Sequence, residues 1–444
     1  MEIEFLLTLL EEKRFPEIRQ EIEKQNSVDL ANLLSEIDDD KDLVMIFRMI
    51  PKQKASEVFS YMDNDRRMAL IDTFGKQEIT NLFDSMFADD AVDFIEDMPA
   101  NVVSKLLEDI SRDKRTHINN LLKYDDDSAG SLMTVEFVEL RADMTVSKAL
   151  EKIRKTGIKS ETIYTCYVVE KHKLKGIITA KDLLINDENA IIGDLMEDNF
   201  IYVSTTDDRE TVGSLFRKYG FISIPVLDSE SCIVGIVTFD DAIDVITEEA
   251  TEDMQKMAAM AANDEPYLKT SVWKHAKHRI VWLLILMLSA TITGAIIEKY
   301  ENAILIVPLL VSFIPMLMDT GGNCGSQSST LIIRGLAVGE LSYSDIFKIL
   351  WKEFRVSLIV SGALSIANGL RIYLMYRDIR LSLVVSLSLI IIIVSAKIIG
   401  CTLPIIAKKI HLDPAIMAAP LITTIVDAIS IFIYFSFAMR IFDL

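Results

Sequence analysis

The sequence predicts a multidomain chain with three parts: an all-α superhelical N-terminal domain, a duplicated α/β module and an α-helical membrane domain of five spans. Charge distribution is the first observation behind this reading. The chain has 444 residues, 66 acidic and 46 basic, for a net charge of −20. Residues 1–270 are net −25, whereas residues 271–444 are net +5 and rich in uncharged runs. A 12-residue period near the N-terminus is the second observation, and two similar segments 59 residues apart are the third. So acidic a chain offers no concentrated basic surface for a phosphate backbone, which excludes nucleic acid as a partner. Four scattered cysteines (Cys166, Cys232, Cys324, Cys401) make no CxxC pair and no disulfide framework. Glu2, Glu4, Glu11 and Glu12 flank the early apolar stretch, so no signal sequence is expected and the acidic part is predicted to be cytosolic.

Ile50, Met62, Phe74, Met86, Met98 and Ile110 recur every 12 residues, each closing a short amphipathic stretch. Turn-forming or capping residues follow most of them: Pro51, Asp63, Gly75, Pro99 and Ser111. A 12-residue unit cannot bury its apolar face alone, so successive short helices must stack into a superhelix.

From Leu132 to about Asp253 strands and helices alternate. Thr162–Val169 and Gly176–Thr179 read as strands, and Asp182 opens a helix. The same order returns as Ile222–Val226, Gly235–Phe239 and Asp240-Asp-Ala-Ile, an internal duplication. The pair resembles a tandem of cystathionine-β-synthase-like (CBS) domains.

Two acidic groups stand out. Asp89 and Asp93 share one helical face, with Asp90 beside them. Asp240, Asp241, Asp244, Glu248, Glu249, Glu252 and Asp253 form the second, largely at helical spacing. Most such runs are solvated faces. Like charges at i,i+4 destabilise a helix, however, and a hard cation such as Mg²⁺ relieves that repulsion through oxygen ligands.

A helix needs roughly 20 mostly apolar residues to cross the hydrocarbon core. Five runs qualify: 280–297, 302–333 (interrupted at Asp319), 356–370 with extensible ends, 381–408 (interrupted at Lys397) and 414–439. Basic residues favour the flanks on the side of residues 1–270, which places the N-terminal part inside. Asp427 falls near the middle of the last run, and a carboxylate there is costly unless it serves a pathway or polar interior. Lys397 is about 16 Å from Lys408 along a helix, too deep to snorkel easily, and is read either as a carboxylate's partner or as a peculiarity of this chain. In the second run, Asp319-Thr-Gly-Gly-Asn-Cys-Gly-Ser-Gln-Ser-Ser-Thr330 combines three glycines with a series of oxygen donors. The glycines permit tight helix packing or an unwound turn facing a cavity; the donors favour a pore lining.

Helical domain, CBS pair, acidic connecting helix and five spans, in that order, resemble the MgtE family of magnesium channels over essentially the full chain. TGGNCGSQSSTLIIRGLA (320–337) and LDPAIMAAPLITTIVDAISIFIYF (412–435) carry the resemblance most specifically. DDSAGSLMT (126–134), ETIYTCYVVE (161–170) and GIVTFDDAIDVITEEATEDMQKM (235–257) support it. The boundaries expected are 1–128 for the helical domain, 129–194 and 195–245 for the CBS domains, 246–273 for the connecting "plug" helix and 274–444 for the pore domain.

The resemblance implies a homodimer in the cell membrane, its N-terminal domains cytoplasmic, with one pore between the two membrane domains. By the same resemblance Asp427 would hold hydrated Mg²⁺ in the pore, with Gly322, Asn323 and Thr330 as pore lining and Asp319 and Ser326 beside them. Asp89, Asp93, Glu210, Asp241, Asp244, Glu249, Glu252 and Asp253 would be regulatory Mg²⁺ ligands. Gly220, in Tyr219-Gly-Phe, is a departure, standing where a better-known sensor of the family carries an aspartate. ATP at the CBS domains would lie near Tyr164, Lys181, Asp182 and Phe221, although Asp182 reads equally as a helix cap. Mg²⁺ bound to the acidic domains would close the pore in a replete cell.

Two other classes are weighed against this. A proton- or sodium-coupled transporter of Mg²⁺ or Co²⁺ would use Asp427 and Lys397 as relay groups. A membrane enzyme is disfavoured: among five histidines there is no HExxH, and no G-x-S-x-G or Walker A motif occurs.

Overall fold

The computed structural model describes residues 3–96, 98–263, 267–268, 270–417 and 419–443. The chain forms two compact units, Met1–Ile246 and Thr247–Leu444.

In the first unit the 12-residue period becomes a run of short helices. These are α1 (Ile3–Glu11), α2 (Phe15–Lys24), α3 (Ser27–Ser35), α4 (Asp40–Phe47) and α5 (Lys52–Ser60). They continue as α6 (Asn64–Thr73), α7 (Lys76–Phe83), α8 (Ala88–Glu96), α9 (Ala100–Asp109) and α10 (Arg112–Leu121). Ile50, Met62, Met86, Met98 and Ile110 sit in the turns between helices and are buried, with Phe74 packed against the same core. Of the expected turn and cap residues, Ser111 caps α10 with its side chain; Asn26 and Asp39, not singled out from sequence, accept backbone N–H groups of α3 and α4.

The duplication appears as two matching three-stranded sheets. The first comprises β1 (Glu139–Leu140), β2 (Thr165–Glu170) and β3 (Lys173–Thr179), with α11 (Val146–Thr156), α12 (Ala180–Ile185) and α13 (Ile192–Leu195). The second comprises β4 (Val203–Ser204), β5 (Ser223–Leu227) and β6 (Ile233–Thr238), with α14 (Arg209–Tyr219) and α15 (Phe239–Met257). In each sheet the first pair is parallel and the second antiparallel. The register shifts at Val168/Val169 in one and Val226/Leu227 in the other, so even the bulge is duplicated. A buried hydrogen bond between Tyr167 Oη and Ser223 Oγ, 2.8 Å, joins the repeats.

The connecting helix differs from expectation. α15 is continuous with the end of the second repeat, yet stops at Met257 rather than near 273. Ala259 turns to φ +54°, and the N–H groups of Ala259 and Met260 donate back to the carbonyls of Lys256 and Gln255, both at 2.9 Å. This is a Schellman stop built without glycine. Residues 264–266 and 269 of the expected helix lie outside the described residues.

The second unit holds five long helices: α16 (Val272–Lys299), then after the short α17 (Glu301–Ile306) α18 (Ile314–Ala337), α19 (Ile346–Tyr376), α20 (Ile379–Lys409) and α21 (Ala419–Phe442). Among the described residues, α16, α19, α20 and α21 with their flanking turns are long and apolar enough to cross a membrane. At 24 residues, α18 covers about 36 Å and is also long enough, but its polar run lowers its hydropathy. Its start corrects the sequence reading. The segment from 302 is not one helix, because Pro308 and Pro315 lack the N–H that continuation requires, and a 3₁₀ stretch, Pro308–Phe313, intervenes.

Candidate functional site

In the first unit, the helical domain and both CBS repeats bring carboxylates to one junction. Asp89 and Asp90 occupy the first turn of α8, Asp93 lies one turn on, and Asp240 and Asp241 start α15. Glu161, just before β2, faces the same group, its carboxyl within the fields of Asp90, Asp241 and Asp240. Glu136 ties the junction together. It accepts from the Ala88 N–H (3.3 Å), Thr134 Oγ1 (3.0 Å) and Lys114 Nζ (2.9 Å). Lys114 also donates to the Met86 carbonyl.

The electrostatics are those of crowded, under-compensated anions. Burial, then Asp241 and Asp90, push the Asp89 carboxyl well above the ordinary carboxylate range. Burial and Asp241 raise Asp90 to about 6, with Lys114 and Arg67 opposing. Asp93 keeps a sizeable accessible surface, yet protein hems it in; desolvation and Asp241 bring it to about 7. Glu161 reaches about 8 through burial and then Asp90. Asp241 is raised to about 6 by burial, against a hydrogen bond from Thr238. Asp244 is raised by desolvation and Asp240. Asp89 Oδ1 and Glu161 Oε2 are buried without hydrogen-bond partners. Orphaned carboxylate oxygens of this kind fit a hard cation. Among the described residues no three His, Cys, Asp or Glu side chains converge closely enough to hold a bare ion. A hydrated Mg²⁺, which keeps several of its waters, suits the wider spacing.

The expected regulatory residues separate. Asp89, Asp93, Asp241 and Asp244 belong to this junction; Glu210 is exposed in the first turn of α14. Glu249, Glu252 and Asp253 lie in the second unit. There Lys256 Nζ bridges Glu252 Oε1 at 2.7 Å and Asp413 Oδ2 at 2.6 Å. Burial, then Asp413, raises the Asp253 carboxyl. Met257, at the end of α15, packs on Ile333 and Ala415. Asp90, Glu136 and Glu161 were not singled out as ligands from sequence; Glu161 stands alone in the chain, and only the fold shows its company.

Gly220 has φ +67° and caps α14 in the left-handed region, with its N–H donating to the Phe216 carbonyl. Its glycine is explained by backbone shape.

Between the repeats lies a cavity of about 230 Å³ lined by Phe221, Tyr219, Thr165 and Asn199 among others. The Tyr219 and Phe221 rings stack at 5.3 Å. Of the expected nucleotide residues, Phe221 lines this cavity. Tyr164 is 62 % exposed, Lys181 is exposed, and Asp182 is a cap whose Oδ2 accepts the Thr179 N–H at 3.1 Å.

In the membrane unit, α18 packs against α20 and α21 and divides its polar run between two faces. Asp319, Asn323, Gln327, Thr330 and Arg334 form an exposed stripe at helical spacing. Gly321, Gly325, Ser328 and Ser329 face inward. The helix is regular throughout, so the glycines serve close packing rather than an unwound turn. A Cβ on Gly400 of α20 would stand 2.2 Å from the Gly325 carbonyl oxygen, and one on Gly322 would stand 2.9 Å from Thr423 Cγ2. Gly322 is thus placed in a helix contact, outside the exposed stripe. Asp427 is half-buried on α21, and Asp319 is near enough for their charges to repel.

Lys397 has found a carboxylate. It is 5 % exposed on α20 and donates to Ser328 Oγ at 3.1 Å. Ser328 in turn donates to Glu353 Oε2 of α19 at 2.7 Å, and the Lys397–Glu353 charges are 3.6 Å apart.

The family model described as a divalent cation transporter matches residues 314–437, that of the MgtE intracellular N domain matches 25–127, and CBS domains match 129–188 and 192–248. The magnesium transporter MgtE of Thermus thermophilus is 33% identical over 431 residues, covering 96% of this chain and 95% of that protein. That of Bacillus subtilis is 30% identical, covering 89% and 90%. A crystal structure of the cytosolic domain of the Mg²⁺ channel MgtE with ATP shares 31% identity at a TM-score of 0.51, covering 54% of this chain and 98% of that one. The soluble part of a magnesium transporter shares 29% at 0.53, covering 56% and 98%. Near-complete coverage at this identity, with every domain in order, means that the chain belongs to the MgtE family of magnesium transporters.

Proposed function

We propose that this membrane protein is a Mg²⁺ channel for magnesium uptake, gated by intracellular Mg²⁺ at its acidic domains. The observation carrying this is the exposed stripe Asp319–Asn323–Gln327–Thr330 on a membrane helix, with Asp427 beside it. Polar side chains facing out of a bundle at membrane depth are stable only against water or another polar surface. A second copy of the chain supplies that surface, so the working unit is a homodimer with the path between its membrane domains. Mg²⁺ loses water reluctantly, and Asp427 with the amide and hydroxyl oxygens of the stripe passes it by contacts to its hydration shell. The acidic domains lie in the cytoplasm. There Mg²⁺ bridges Asp89, Asp93 and Asp241 and stabilises the closed arrangement through tighter binding to it. The cavity between the repeats, with its stacked Tyr219 and Phe221, has the flat aromatic wall that an adenine ring of ATP requires.

The deciding experiment is Mg²⁺ flux into liposomes holding the purified full-length chain. A channel gives single-channel currents that follow the Mg²⁺ gradient at any imposed proton or sodium gradient. Flux that reverses with the proton or sodium gradient overturns the channel reading in favour of coupled transport.

A further inference from the structure

Ser328, Glu353 and Lys397 come from three different helices, and none of them lies on the exposed stripe of α18. At about 100° per residue, Ser328 is turned about 140° away from Asn323 and about 100° away from Gln327. Ser328 is 1 % exposed, and its hydroxyl both accepts from Lys397 and donates to Glu353. The three groups therefore partner one another in a place that excludes most water. Ser329, the next residue, donates to the Met417 carbonyl at 3.0 Å in the turn that leads into α21.

The glycine contacts of α18 cannot do what this cluster does. Gly321 and Gly325 let backbones approach closely, but a smooth glycine surface resists turning weakly, because dispersion contacts have no direction. Hydrogen bonds and a buried ion pair do have direction. A site for an ion needs its ligands held within roughly 10–20°, and the ligands of the stripe share a rigid helix with Ser328.

We propose that Ser328, Glu353 and Lys397 are positioning residues for cation passage: a buried, hydrogen-bonded cross-link from α18 to α19 and α20 that fixes the rotation of α18, and so the direction of Asp319, Asn323, Gln327 and Thr330. The inference rests on the reading of that stripe as the path. It assigns the pair a task at a distance from the ion. Opposite charges 3.6 Å apart present no net charge to a passing dication, whereas either one alone would disturb both the field and the helix.

The test uses the full-length chain in liposomes and two readouts. One is the maximal rate of Mg²⁺ uptake. The other is maleimide reactivity of the native Cys324, which lies on α18 next to Asn323 and is 6 % exposed, in a background where the other three cysteines are alanine. The variant Glu353→Gln/Lys397→Met removes both charges and keeps the volume. It is expected to lower maximal uptake roughly tenfold or more and to expose Cys324 to the reagent by a similar factor, because α18 turns. Ser328→Ala is expected to shift both readouts the same way by less. A properly folded double variant that takes up Mg²⁺ like the parent overturns the proposal. So does one with reduced uptake and a still protected Cys324, since the cluster would then only hold the bundle together. If the double variant does not fold, Ser328→Ala decides by the same readouts, and unchanged uptake with a protected thiol overturns the proposal. Asp427→Ala in the same vesicles separates the two levels: if it conducts normally, the path itself is misplaced, whatever Cys324 reports.

Discussion

Lys256 Nζ stands 2.6 Å from Asp413 Oδ2, so the end of α15 is fastened to the turn before α21 by a fixed cation. The same ammonium holds Glu252 at 2.7 Å. Burial opposes its charge, and the hydrogen bonds to Asp413 and Glu252 outweigh that, so its pKa rises. Both partners keep about a quarter of their side-chain surface in solvent, which limits the pair to about 1 kcal/mol. Lys256→Gln is therefore expected to loosen residues 258–263 and to shift the Mg²⁺ concentration for half-maximal protease protection upward by about two- to fivefold. Limited proteolysis against a Mg²⁺ series measures it. An unshifted curve shows that the latch does not contribute to closure.

Asp427→Ala is expected to abolish Mg²⁺ conduction while expression and oligomeric state are retained. Asp427→Asn should keep little, because a neutral amide no longer attracts a dication. Uptake measured with a fluorescent indicator in liposomes gives the answer, and normal flux in either folded variant refutes the assignment.

Neutralising Asp89, Asp93, Asp241 and Glu249 together should remove Mg²⁺-dependent protease protection of the acidic domains. Cells carrying this variant should then accumulate Mg²⁺ and stop growing in high external Mg²⁺. Protection that survives intact in the quadruple variant contradicts bridging at this junction.

The junction also predicts a pH dependence for the Mg²⁺-free chain. Asp90, Asp93, Asp241 and Glu161 bind their protons more tightly here, at about 6, 7, 6 and 8, than in an unfolded chain. Protonation thus stabilises the folded junction fully below about pH 4, and the benefit is lost as pH rises through the folded values. In EDTA the apparent unfolding temperature should fall from pH 5 to pH 8, and Mg²⁺ should restore it most at pH 8. Glu161→Gln should raise the EDTA value at pH 8 by a few degrees, because it replaces a buried, unpartnered anion. A midpoint that rises with pH in EDTA would count against this account.

Gly220→Asp, attractive from sequence as a restored ligand, is expected to cost about 1 kcal/mol through its positive φ and to leave the Mg²⁺ midpoint of protection unchanged. Chemical denaturation read beside proteolysis separates the two effects.

Much of the architecture was legible because it is local. Buried residues recur at 12-residue spacing in the turns of the N-terminal run, and the two sheets repeat down to the bulge. What was not legible depends on partners far apart in the chain. Lys397 and Glu353 are separated by 44 positions, and nothing near either announces the other. Glu161 carries no charge run around it. The end of α15 was placed too late because Ala258–Ala262 favours helix by propensity, whereas the return bonds to Gln255 and Lys256 override it. The polar run of α18 was recognised, but its division into a packed and an exposed face required the helix to be seen whole.

The meeting of Gly325 and Gly400 has a kinematic meaning. With a Cβ at Gly400 only 2.2 Å from the Gly325 carbonyl oxygen, α18 and α20 already touch backbone to backbone and leave no clearance between them. No inward travel of one against the other is open, and separating them would empty a contact that lipid cannot fill with the same density. Any stroke that widens the route for the ion must therefore carry α18 and α20 as a single body.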